Sequence, residues 1–173
     1  QAENERRFRE DQSRALLTEN AQKLDLIYQR LLPQQSVADF TKLELINCSK
    51  EITAFTEEIK KIESEYQQKW HMDEALLKYY ELLQSITSKL HNQPANQVDA
   101  LICSLYCNIA LCQSNLGDAK KAFKSMDAIP KTASEDSKIY HFIYASIIIQ
   151  HTLSSQYGVA EQHLDRALEI DNT

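Results

Sequence analysis

Glycine and proline are scarce in this chain, at two and three of 173 residues. Both interrupt helices, so their scarcity points to an all-α fold with few breaks. Long apolar runs are also missing. Stretches such as Ile147-Ile148-Ile149 fall far short of the roughly 20 residues that span a bilayer, and no membrane partner is expected. A surplus of basic charge is lacking too: 19 Lys and Arg stand against 25 Asp and Glu, for a net charge of -6. Nucleic acid is recognised through a basic face, so this balance argues against it as a partner. The four cysteines, Cys48, Cys103, Cys107 and Cys112, are too few and too clustered for a disulfide framework. A reducing compartment, cytoplasmic or nuclear, is the expectation. Residue 1 is Gln and no charged-then-apolar leader follows, so the chain reads as a piece of a longer protein.

What is present is helical periodicity. With 43% apolar residues and a mean hydropathy of -0.48, the chain is able to bury a core. Leu17, Ala21, Leu24, Tyr28 and Leu31 step by 4, 3, 4 and 3, a heptad seam that Pro33 ends. Ser36 with Asp39 resembles a capping box at the start of a second run. Ile52, Phe55, Ile59, Ile62 and Tyr66 repeat the heptad steps. Residues 36–68 are therefore one helix of about 33 residues or two that meet near Ser49. Asp73 opens a helix with Ala75, Leu76, Tyr79, Leu82, Leu83 and Ile86 on one face, fading into the polar stretch 91–96 around Pro94. Leu101, Leu105, Ile109 and Cys112 mark the next, stopped at Leu116-Gly117-Asp118. A shorter one runs from Ala119 to Ile129 before Pro130. Ser134 to Ser137 open another with Ile139, Phe142, Ile143, Ile147 and Ile148, and a turn at Ser154 to Gly158 leads to a last helix, Val159 to Ile170.

Long helix, turn, shorter helix and connection recur. A single helical hairpin cannot bury its apolar face alone, so recurrence implies stacking. Aligned on Ala75, Ala122 and Ala160, the position four later is Tyr79, Met126 and Leu164, and seven later Leu82, Ile129 and Ala167. Twelve before stand Glu63, Ala110 and Ile148; sixteen before, Ile59, Tyr106 and Tyr144. Tyr106 through Asp118 and Val159 through Asn172 resemble the tetratricopeptide repeat, across about residues 50–173. The resemblance implies a small residue where the two helices of a hairpin cross, and glycine at the sharp turn. Glu63 and Ile148 depart from that pattern. A register that uses Ala145 instead needs about three extra residues before Tyr157. The alanines are 47 and 38 residues apart against a family period of about 34, an excess assigned mostly to the connection around Pro94.

Chemistry-bearing residues are few. Cys103 and Cys107 lie one turn apart with Cys112 nearby, yet zinc wants four convergent ligands, usually with a Cys-x-x-Cys knuckle. Packing between hairpins is the expected role of these thiols. His71, His91, His141, His151 and His163 show no pair at helical ligand spacing; His141 and His151 sit ten apart on one helix. No phosphate loop or nucleophile elbow occurs. No catalysis, cofactor or metal is expected. Trp70, Tyr79, Tyr80, Tyr106, Phe142 and Tyr144 are expected mainly in the core, and Lys120, Lys121 and Lys124 on a solvated face.

The expectation is an all-α chain in two parts: an N-terminal long-helix hairpin over residues 1–48, and a superhelix of about three hairpins over 49–173. The resemblance implies that the first helix of each hairpin lines a concave groove. Its candidate contacts are Lys60, Ser64, Ser104, Asn108, Leu111, Asn115 and Ile149, followed by Ala145 and Thr152. One subgroup of the family clamps the carboxylate tails of chaperones with five polar side chains. Here Lys60 and Asn108 match, while Ser64, Phe142 and Ser146 replace the others, so a chaperone tail is not the expected ligand. The function implied is a scaffold that holds another protein or peptide, as a subunit of a larger complex. The alternative is a module that assembles through its heptads as a coiled coil.

Overall fold

A computed structural model describes residues 2–7 and 50–171. Residues 2–7 are helical. The heptad seam at Leu17–Leu31, the Ser36 cap, Cys48 and the continuity of residues 36–49 lie outside the described residues. Those from Lys50 on form seven α-helices: α1 (Lys50–Ile62), α2 (Met72–Lys89), α3 (Ala95–Asn115), α4 (Ala119–Asp127), the single turn α5 (Lys131–Ser134), α6 (Lys138–Gln150) and α7 (Tyr157–Asp171). A wide π turn, Glu63–Gln67, extends α1, and a 3₁₀ turn, Ser154–Gln156, precedes α7. The described residues contain no strand.

Local chemistry explains most of the helix ends. Asp118 caps α4 by accepting the Lys121 amide at 3.0 Å, and Ser137 caps α6 by accepting the Tyr140 amide at 3.3 Å. Each satisfies an amide that would otherwise lack a helical partner. Pro94 and Pro130 stand immediately before α3 and α5 with φ of -55° and -58°, since proline presets the entry and has no N–H to lose. This corrects the reading of 91–96 as a long connection. The helix begins at Ala95, so the extra residues of the first spacing are taken up by helices of 18 and 21 residues. Gly158, expected in a turn, lies inside α7.

Three helices end in one way. Trp70, Gly117 and Thr152 have φ of 61°, 91° and 48°. In each case the amide of that residue bonds the carbonyl three back, and the next amide the carbonyl five back. This is the Schellman closure, with one residue in the left-handed region. The turns reverse the chain into α2, α4 and α7. Counting from them, Ala75 and Ala122 each follow by five residues, but Ala160 follows Thr152 by eight, because Ser154–Gln156 intervenes. Seven residues before each turn stand Glu63, Ala110 and Ala145. Ala145, not Ile148, is thus the counterpart of Ala110, and both are fully buried.

The packing runs along the chain. Ile52, Ile59 and Ile62 of α1 meet Ala75, Tyr79 and Ile86 of α2 and Leu101, Leu105, Ile109 and Cys112 of α3 in a first core. Cys103, Cys107 and Ala110, on the opposite side of α3, meet Ala122 and Met126 of α4 and Ile139, Ile143 and Ile147 of α6 in a second. Ala145 and Ile148 of α6 then pack on Ala160, Leu164 and Ala167 of α7 in a third. Helices α3 and α6 each serve two cores, which is why both lack a polar face. Three cysteines are free and buried in these cores, the packing role expected of them. Tyr79, Tyr106, Phe142 and Tyr144 also belong to the cores, whereas Trp70 and Tyr80 are exposed.

Candidate binding face

Helices α1, α3 and α6, the first of each hairpin, are neighbours: α1 packs on α3 and α3 on α6. Along α3 the candidate contacts Ser104, Asn108, Leu111 and Asn115 follow at steps of four, three and four, with Leu111 packed against the edge of the second core. Their exposure differs from the expectation of an open groove wall. Ser104 is 1% and Asn108 0% exposed, because the middle of α3 is enclosed by its neighbours. Asn108 Nδ2 donates to the Ser104 carbonyl at 3.2 Å. Among the described residues, Asn108 Oδ1 and Ser104 Oγ have no hydrogen-bond partner. Two buried polar atoms one turn apart are an energetic weakness, each costing about 1–3 kcal/mol when unsatisfied.

The other candidates reach the surface in part. Leu111, Asn115 and Ile149 are half-buried, and Lys60 and Ser64 are exposed on α1 and the π turn. Ser64 Oγ donates to the Lys61 carbonyl at 3.2 Å. The structure joins Asn115 to the end of α6, through Gln150 Nε2 donating to its Oδ1 at 2.9 Å. Ser114 Oγ donates to Gln150 Oε1 at 2.7 Å. His151 Nε2 lies 3.1 Å from the Ser114 carbonyl and 3.0 Å from Ser114 Oγ. A carbonyl only accepts, so this nitrogen carries the hydrogen. The seam continues through Gln113, which donates to Tyr80 Oη at 2.9 Å and accepts from Ser125 Oγ at 2.7 Å. Uncharged side chains thus tie the ends of α3, α4 and α6 to one another and to the middle of α2.

At the far end of the first core, Tyr79 Oη donates to Gln67 Oε1 at 2.7 Å. The π turn is what brings Gln67 inward, since both Glu63 and Gln67 are buried on it. Burial pushes the Tyr79 hydroxyl well above its ordinary range, with Cys112 and Glu63 adding to it. Cys112 is raised to about 12, by burial first and then by Glu63, so it is an inert packing thiol.

Sequence reasoning missed one feature. His141 on α6 and His163 on α7 face each other with 2.8 Å between their Nδ1 atoms, and His141 Nε2 lies 2.8 Å from the Glu135 carbonyl. The pairing of His141 with His151 suggested by their spacing is not made, since His151 turns to Ser114. A separation of 22 residues across a turn of irregular length leaves no periodic signal. Burial lowers both imidazoles, and His163, which also feels His141, falls to about 4.

The described residues hold no group of three or more His, Cys, Asp or Glu able to bind a metal ion. None of the described helices is long and apolar enough to cross a membrane. Comparison of the chain with protein-family models, curated protein sequences and solved structures gives no match.

Proposed function

We propose that this chain is a non-catalytic scaffold of the tetratricopeptide-like kind, which holds a partner protein or peptide against the layer formed by α1, α3 and α6. The supporting observation is the recurrence of one hairpin device: the left-handed turns at Trp70, Gly117 and Thr152, with first helices that pack on one another. Stacked hairpins give a long surface from short-range contacts, and that is how such arrays bind extended partners. Within this reading the contact residues are the accessible ones, Lys60, Ser64, Leu111, Asn115 and Ile149. Ser104 and Asn108 lie beneath them and shape the floor. The coiled-coil alternative is disfavoured for the second seam, because Ile52, Ile59 and Ile62 are spent on α2 and α3 of the same chain.

The test is affinity capture from cell extract with the intact chain and two charge variants. Leu111→Glu places a charge on the proposed face, and Lys121→Glu alters an exposed site on α4. Circular dichroism verifies that both fold. Partners lost with Leu111→Glu and retained with Lys121→Glu support the face. Equal recovery by both, at the strength of the unaltered chain, places the partner elsewhere.

A further inference from the structure

The His141–His163 contact fixes its own protons. The Glu135 carbonyl can only accept, so His141 Nε2 carries a hydrogen. In the neutral imidazole His141 Nδ1 is then a lone pair, and the hydrogen between the rings belongs to His163 Nδ1. The ring centroids are 5.1 Å apart. That is the 2.8 Å bond plus the two ring radii, so the nitrogens meet head-on. A metal ion between the two nitrogens would need about 2.0 Å to each, more than the 2.8 Å gap allows on that line. The contact is built to hold a proton.

We propose that this pair is a proton-operated latch, which helps to hold α7 on α6 while both rings are neutral and loosens α7 as the rings take up protons. The first proton goes to His163 Nε2, where it leaves the Nδ1–H···Nδ1 bond intact. The Tyr144 ring, 4.3 Å from the His163 ring and tilted by 33°, offers a π face to that cation, and the Tyr140 ring crosses it at 74° from 5.9 Å. The second proton has only His141 Nδ1 to go to, the acceptor of the bond itself. It replaces the bond by two opposed N–H groups on two cations.

The surroundings offer little relief. From α7, Arg166 adds a third positive charge nearby; it is bound to Asp136 at 2.8 Å and to Glu169 at 3.0 Å. From the turn before α6, Asp136 acts on His141 in the opposite sense to Arg166 but is bound to that arginine, while Glu135 contributes its carbonyl. From α6, Tyr140 and Tyr144 are neutral, their hydroxyls raised by burial, and Asp127 of α4 acts on those tyrosines. The latch acts alongside other contacts that hold α7: Ala160, Leu164 and Ala167 on Ala145 and Ile148, partly buried Tyr157 and Leu168 beside them, and the Lys138–Asp171 and Arg166–Asp136 pairs. Imidazoles held below 6.5 stabilise the docked state fully above that pH, and the contribution is lost as pH falls toward about 4. Undocking returns both rings to their ordinary value, so docking weakens from pH 6.5 downward, before the docked pair itself is protonated.

Hydrogen exchange of the intact chain, corrected for intrinsic rates, tests the latch. Between about pH 7 and about pH 5, protection of α7 amides is expected to fall about tenfold relative to those of α4. In His163→Asn, whose side-chain N–H stands in for Nδ1–H but does not titrate, only His141 remains to take up a proton, and the selective fall is expected to shrink several-fold. A parallel loss in α4 and α7, or an unchanged fall in His163→Asn, overturns the proposal. Imidazole nitrogen spectra of the unaltered protein give a test independent of any variant. Hydrogen on His141 Nε2 and His163 Nδ1 above pH 7 agrees with the latch, and any other assignment contradicts it.

Discussion

A bulky residue in the left-handed backbone region carries a cost that its contacts must offset, and Trp70 has few contacts with which to do so. Its φ is 61° and its side chain is 72% exposed. Gly117 fills the equivalent turn without that penalty. Opposite substitutions at the two sites should therefore move stability in opposite directions. Gly117→Ala should destabilise by about 1–2 kcal/mol, all of it conformational, because an added Cβ at Gly117 meets nothing within 4 Å. Trp70→Gly should stabilise slightly, by about 0.5 kcal/mol, since relief of strain exceeds the added freedom of the unfolded chain. Urea unfolding midpoints measure both. A clear loss of stability on Trp70→Gly would show that the indole is held by contacts outside this account.

Among the elements, the junction of α1 and α2 depends on one buried hydrogen bond. The π turn rotates Gln67 into the first core, and Tyr79 Oη gives that side chain its partner. Tyr79→Phe keeps the ring and strands the Gln67 oxygen, so it should cost about 1–3 kcal/mol. Tyr79→Phe combined with Gln67→Leu should recover part of that loss, and a double-mutant cycle reads the coupling. A combined loss equal to the sum of the two would remove the bond from the account. The apolar faces of these helices were legible in the sequence, and Leu101, Leu105, Ile109 and Cys112 lie in one core as their spacing implies. Helix starts were less so: Pro94 stands next to the first turn of α3, where it does not break the helix it precedes. The register of the last hairpin was hidden by the three residues of Ser154–Gln156, which add a turn that no hydrophobic period marks. Surface position on α3 was the least legible. Asn108 and Leu111 share a face by spacing, yet only helices brought in from elsewhere in the chain decide which of them water reaches.

For the whole molecule, the uncharged seam at the ends of α3 and α6 carries a consequence for ionic strength. Ser114, Asn115, Gln113, Gln150, Ser125 and Tyr80 join the first two cores through neutral hydrogen bonds, which dissolved salt screens little. Helix α7 is tied down differently, by Arg166 to Asp136 and by Lys138 to Asp171. The exposed Arg166–Asp136 pair weakens once the screening length falls below about 10 Å, whereas the Lys138 side chain, 11% exposed, is screened less. Raising salt from about 0.05 M to about 0.5 M should therefore speed amide exchange in α7 by about two- to fivefold while leaving α3 and α4 unchanged. Uniform acceleration across all helices would contradict this division. The hairpins are thus fastened by two chemistries, so the electrolyte around the protein governs how firmly its last helix is seated while the joint between α3 and α6 stays indifferent to it.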